Sequence, residues 1–212
     1  MGFRYIAIDG PIGVGKGALA ERLGARLDAT VVLDESENPF LAEFYAGRPG
    51  AGFQAQLFFT LARHRQQVAL RQVDLFSQVT VSDYLFDKDK IYAYLNLDDN
   101  ELFIYQRLYA LLARDVPAPD LVLYLQAPTD VLVRRLRDRQ RKDRDRPALE
   151  PEYVKELNEA YNHFFFHYTA TPLLAVETSH LDLIWDDETL DDLAKQIRGM
   201  GKGTRYYVPR TR

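Results

Sequence analysis

Between Tyr5 and Leu23 the chain reads YIAIDGPIGVGKGALAERL, and few folds accept such a run. Tyr5 to Ile8 is a short apolar stretch that suits a buried strand. Gly10-Pro-Ile-Gly-Val-Gly15-Lys16 fits the spacing G-x-x-x-x-G-K, and Ala18 to Leu27 has the pattern of a helix. Strand, glycine-rich loop and helix in that order are the context in which this spacing binds phosphate. Glycines let backbone N–H groups converge on phosphate oxygens, the helix N-terminus adds partial positive charge, and Lys16 adds a full one. The phosphate-binding positions are therefore Gly10, Pro11, Ile12, Gly13, Val14, Gly15, Lys16, Gly17 and Ala18. The bland alternative is a glycine-rich turn with an incidental lysine. One position departs from the pattern: after the lysine a Ser or Thr hydroxyl is expected to bind Mg²⁺, and here the residue is Gly17. Metal binding must then rest on a carboxylate and water, or be weakened.

The remainder alternates strand and helix. Val31–Leu33, Gln78–Val81, Leu121–Leu125 and Leu173–Val176 are short apolar runs that complete five strands with the first. Such alternation implies an α/β fold of three layers, a five-stranded parallel sheet with helices on both faces. The chain of 212 residues, 47% hydrophobic, is expected to form a single domain over 1–212. Its net charge of −4 argues against general attraction to nucleic acid or membrane. No residue is cysteine, which excludes disulfides and thiolate chemistry and fits a reducing, cytoplasmic setting. No long apolar segment is visible, so neither a signal peptide nor a membrane span is expected.

Several polar residues fall where a ligand is expected. Asp83 follows the third strand, and in open α/β sheets ligands bind beyond the carboxyl ends of strands. A carboxylate there suits Mg²⁺, directly or through water, although a turn or cap aspartate has the same look. In the long helical segment Phe53 to Leu75, Gln56 and Arg63 lie seven apart and share a face. That face is either an exposed polar stripe or part of a site. Residues 134 to 146, RRLRDRQRKDRDR, hold eight Arg or Lys in thirteen. This run is a solvated helix or, beside a phosphate loop, a lid over about 139–150. Thr129 is expected to cap its helix, and the tail GMGKGTRYYVPRTR to be loosely held.

Taken together, GPIGVGK, the acidic turn before ENPFL, FY at 44–45, QLFFTLARHR, SDYLFDKD, RDRQR and the late MGK resemble the deoxynucleoside kinase family, in particular its bacterial deoxyadenosine and deoxyguanosine kinases. The resemblance covers nearly the whole chain. It implies a P-loop kinase-type fold with an arginine-rich lid, in a protein that is typically a homodimer. It implies ATP and Mg²⁺ as cofactors and a deoxynucleoside as partner, with transfer of the γ-phosphoryl group to the 5′-hydroxyl of a purine deoxynucleoside in nucleotide salvage. By the same resemblance Tyr45 touches the sugar 3′-hydroxyl, Gln56 pairs with the base edge, and Arg63 and Asp89 complete the base pocket. Phe53 and Phe86 supply flat walls, and Arg139 and Arg141 match lid arginines. The family's general base falls on Asp34 by counting from Lys16 and on Glu35 by residue type, with Glu35 preferred. Two other readings remain open: a thymidylate-type monophosphate kinase, against which Tyr45, Gln56, Arg63 and Asp89 argue, and a weakly catalytic nucleotide-binding protein, which Gly17 motivates.

Overall fold

The computed structural model describes residues 2–34, 37–73, 79–143, 148–181 and 185–209. Its six strands are β1 (Tyr5–Asp9), β2 (Thr30–Val32), β3 (Thr80–Ser82), β4 (Leu121–Gln126), β5 (Leu173–Glu177) and β6 (Thr204–Tyr207). Its helices are α1 (Lys16–Leu27), α2 (Leu41–Tyr45), α3 (Ala51–Val73), α4 (Lys88–Asn96), α5 (Asp99–Leu112), α6 (Thr129–Lys142), α7 (Pro151–Phe166) and α8 (Asp187–Arg198). The contacts divide the chain into two compact units, one of Met1–Leu33, Ser77–Leu85 and Ala118–Arg212, the other of Asp34–Phe76 and Phe86–Pro117.

The first unit holds the whole sheet. Its order is β2-β3-β1-β4-β5-β6, and every pairing is parallel. Ile6, Ile8, Leu121, Leu123, Leu125, Leu174 and Val176 are all without solvent exposure. Burial on both faces of the central strands is why they read as apolar runs rather than as alternating patterns. The same core takes in Leu19, Leu23, Leu132, Val154, Leu193 and Ile197 from α1, α6, α7 and α8.

The sixth strand corrects the expected five. Thr204–Tyr207 pairs with β5 from Leu173↔Thr204 to Val176↔Tyr207. The segment read as a loose tail is thus a sheet edge, fixed by the buried Tyr207, whose hydroxyl donates to Asp192 at 2.8 Å. An edge strand exposes most of its side chains, so it carries no apolar run to betray it. Thr129 is likewise not the cap of α6 but its first residue. Pro128 holds the cap position, and the Thr129 hydroxyl instead accepts from Asn158 at 3.1 Å.

The second unit is helical among its described residues. Asp98 and Glu101 form a reciprocal capping box that starts α5: Asp98 accepts from the N–H groups of Asn100 and Glu101, and Glu101 accepts from that of Asp98. An aromatic core of Phe86, Tyr105 and Tyr109 lies under Phe53, Leu97 and Leu102.

Candidate functional site

In the first unit, residues 10 to 18 form one continuous turn into α1. Gly10, Gly13 and Gly15 have φ of 152°, 88° and 96°, values that favour glycine. At Gly10 the demand is also spatial, since a Cβ there would stand 2.3 Å from the Leu125 carbonyl oxygen. The loop's origin is pinned by Asp9, a fully buried carboxylate that accepts from the N–H groups of Gly10 at 2.7 Å and Leu85 at 3.1 Å. Lys16 is the first residue of α1, and its ammonium donates to the carbonyls of Gly10 at 2.7 Å and Pro11 at 3.4 Å. Beside it, the first N–H groups of α1 have no partner within the helix. This is an anion cradle with a cation beside it.

Asp83 follows β3 in the same unit. A Cβ built on Gly17 would approach the Asp83 carboxylate to 3.3 Å. The carboxylate therefore reaches the place beside the loop that a hydroxyl-bearing side chain would occupy. Among the described residues no cluster of three or more His, Cys, Asp or Glu is arranged to hold a metal. A single carboxylate beside a phosphate cradle does suit Mg²⁺, which keeps its waters and binds through one or two carboxylates plus substrate phosphates. Arg139 and Arg141 lie exposed in the last turn of α6, and Arg141 stands 3.6 Å from Asp138. Part of the expected lid, 144–147, falls outside the described residues.

The second unit gathers the expected base-pocket residues. Gln56 and Arg63 share a face of α3 and each is only 6% exposed, so the polar stripe is not solvated. The Arg63 guanidinium forks onto Asp34, Nε to Oδ1 and Nη2 to Oδ2, both at 2.8 Å. Its Nη1 bonds to Asp89. Gln56 donates to the Asp89 backbone carbonyl at 3.1 Å. Lys88, which no sequence pattern singled out, donates to Asp34 Oδ2 at 2.5 Å and is itself buried. Phe86 stacks on Tyr109 with ring centres 5.1 Å apart, and Phe53 packs against the same cluster. Tyr45 ends α2, 39% exposed, its ring tilted against Phe44. Glu35 lies outside the described residues.

The charges in this set act unequally. Burial raises the pKa of the Asp34 carboxyl, but Lys88 and then Arg63 outweigh it and hold the group well below the usual carboxylate range. Asp89 goes the other way. Its complete burial outweighs the pairing with Arg63 and lifts it above that range. Its Oδ2, itself buried, has no hydrogen-bond partner. Burial opposes the charge on Arg63 as well, yet Asp89 and Asp34 together keep it protonated.

A parallel sheet ordered 2-3-1-4-5-6, with a glycine-rich loop and lysine after β1, defines a P-loop kinase-type protein. The deoxynucleoside kinase profile matches residues 6–200, and the chain belongs to that family. A deoxyguanosine kinase of Bacillus subtilis (strain 168) is 31% identical over 159 residues, 74% of this chain and 76% of that protein. A deoxyadenosine kinase of Dictyostelium discoideum is 31% identical over 166 residues, 76% of this chain and 66% of that one. Among solved structures, deoxyadenosine kinase from M. mycoides with products dCMP and a flexible dCDP bound gives a TM-score of 0.76. It is 21% identical and covers 92% of this chain and 100% of that one, which establishes the shared fold. The protein is an ATP-dependent deoxynucleoside kinase. Among the described residues no helix is long and apolar enough to cross a membrane.

Proposed function

We propose that the acceptor is a purine deoxynucleoside, phosphorylated on its 5′-hydroxyl for nucleotide salvage in the cytoplasm. The observation that carries this reading is the buried polar set of Gln56, Arg63 and Asp89 beside the aromatic walls Phe53 and Phe86. A side-chain amide and a carboxylate match the mixed donors and acceptors of a purine edge. Two relatives named for purine nucleosides support it. Tyr45 takes the sugar 3′-hydroxyl. Asp34 orients the 5′-hydroxyl, for a carboxylate so firmly ionised accepts a hydrogen bond better than it removes a proton; Glu35 is the proposed proton acceptor. Residues 10–18 hold the donor phosphates, and Lys16 with Arg139 and Arg141 of the lid stabilises the charge spread over the group in transfer.

Mg²⁺ bound with the triphosphate would be held by Asp83, directly or through water, and would neutralise phosphate charge. Steady-state phosphorylation of deoxyadenosine, deoxyguanosine, deoxycytidine and thymidine tests the reading. Turnover greatest on a purine is expected, and no turnover on any of the four removes it. Gly17→Ser refines the metal assignment in the same assay. One hydroxyl contact is worth about 1 kcal/mol. The Mg²⁺ concentration for half-maximal rate should therefore fall by no more than about tenfold, with a similar bound on kcat. A rescue of several orders of magnitude would show that Asp83 does not do this work.

The protein acts as a homodimer in this reading. Phe103, Ile104 and Leu111 of α5 and Tyr94 of α4 are each more than half exposed. Ile104 and Leu111 lie on one helical face, an arrangement suited to a two-fold partner. Sedimentation equilibrium should give twice the 24.5 kDa chain mass.

A further inference from the structure

Lys88 is a costly residue where it stands. It opens α4, where the helix dipole disfavours a cation, and it is 4% exposed. A lysine so buried needs a partner, and its partner is Asp34, at 2.5 Å. Arg63 already forks onto the same carboxylate and reaches Asp89 as well. One guanidinium therefore serves two carboxylates, Asp89 fully buried and Asp34 partly so. Without Lys88 the set would hold two negative charges against one positive.

We infer that Lys88 is a positioning residue of the acceptor site, holding the Asp34 carboxylate ionised and in place while Arg63 is divided between Asp34 and Asp89. The inference rests on the assignment of Asp34 to the acceptor's 5′-hydroxyl. Among the described residues, the groups that bear on the set come from three helices: Arg63 from α3, Lys88, Asp89 and Tyr92 from α4, and Tyr105 and Tyr109 from α5. Of the charges acting on Asp34, that of Lys88 lowers its carboxyl most, so removing it weakens the opposition to burial. Lys88 acts on the ionisation of Asp34 rather than touching substrate.

The test is the pH profile of kcat/KM for the nucleoside in Lys88→Met, which keeps the length of the side chain and loses its charge. Glu35, the proposed proton acceptor, sets the wild-type acid limb; loss of Lys88 should add a second ionisation, that of Asp34, and so steepen the fall of kcat/KM on the acid side. The loss should shrink at alkaline pH, and Lys88→Arg should restore the wild-type limb. KM for ATP should be unchanged. A profile of unchanged shape in Lys88→Met, whatever its height, overturns the inference. A double-mutant cycle with Asp34→Asn keeps the question open to refutation even where the single variant folds poorly. Strong non-additivity in kcat/KM is expected, and additive losses count against a role through Asp34. Carboxyl ¹³C titration of Asp34 in the free protein needs no turnover. Asp34 in Lys88→Met should titrate at higher pH than in wild type. Should wild type phosphorylate no deoxynucleoside, the acceptor assignment falls, and this titration alone still decides whether Lys88 governs Asp34.

Discussion

Arg63→Met should destabilise the protein by about 3–5 kcal/mol at neutral pH, the range for breaking a buried ion pair by removing one partner. Total stabilities are of order 5–15 kcal/mol, so the variant stands near the edge of folding. The size of the effect follows from geometry. Arg63 bonds both Asp34 and Asp89, and the side chain is 7% exposed. Losing it strands Asp89, already fully buried with one oxygen unpaired. It also removes the two-bond fork from Asp34, which keeps its contact with Lys88. The pH dependence gives the cause away. The Asp89 carboxyl is raised even with Arg63 present, and higher without it. Between an unfolded value of about 4 and that raised folded value, the native state binds more protons than the unfolded one. Stability therefore rises as pH falls through this window. The deficit of Arg63→Met should shrink between pH 7.5 and pH 5, measured by urea unfolding. Asp34 in wild type behaves oppositely. Its lowered folded value gives a contribution present above about pH 4 and lost as pH falls below it. Arg63→Lys, which keeps charge but not the fork, should fall between wild type and Arg63→Met. A deficit that is constant with pH, or grows on acidification, would mean that the stranded carboxylate is not its source.

The contrast between Arg63 and Lys88 shows what the amino-acid order discloses. Arg63 was singled out by the family spacing; the helical face it shares with Gln56 left an exposed polar stripe equally open until its burial was seen. Lys88 sits in DKDK, which by composition reads as a solvated charge run. Only the fold reveals that Lys88 and Asp89 point inward, while Asp87 and Lys90 pair with each other nearer the surface. Buried ion pairs cancel charge across distant segments, and no local pattern records that. The strands divide similarly. β1 and β4 are continuous apolar runs because both faces are covered. β6 reads Thr-Arg-Tyr-Tyr and is set by its pairing with β5, a contact that exists only once the rest of the sheet is formed. The helical unit was hidden because its two segments, Asp34–Phe76 and Phe86–Pro117, are interrupted by β3 in sequence. The loop, by contrast, was fully legible, since its conformation is dictated locally by glycines at 10, 13 and 15.

Lys16→Met should lower kcat by about 10³-fold, the scale for removing one well-placed donor to charge that develops in transfer. Phosphoryl transfer asks little covalent chemistry of the protein, so charge placed against the phosphates is most of what it contributes. Here the loss should leave the fold almost untouched. The Lys16 ammonium is partly buried and hydrogen-bonds to two loop carbonyls, Gly10 and Pro11. Both residues are buried, but the Pro11 carbonyl also accepts from the Val14 N–H at 3.3 Å, so the loss falls chiefly on the one bond to Gly10. A neutral side chain therefore costs about 1 kcal/mol or less, the net worth of an ordinary hydrogen bond. The loop's shape rests elsewhere, on positive-φ glycines and on Asp9 beneath it. Thermal unfolding of Lys16→Met should therefore nearly coincide with wild type. Nucleoside affinity, measured by calorimetry, should also be unchanged, because Gln56, Arg63 and Asp89 are not altered. The two large effects thus separate cleanly. Arg63→Met loses stability and nucleoside binding with a strong pH signature, whereas Lys16→Met loses turnover alone. If Lys16→Met instead unfolds early, the ammonium's bonds to Gly10 and Pro11 are structural, and the cradle depends on its cation for its shape as well as its charge.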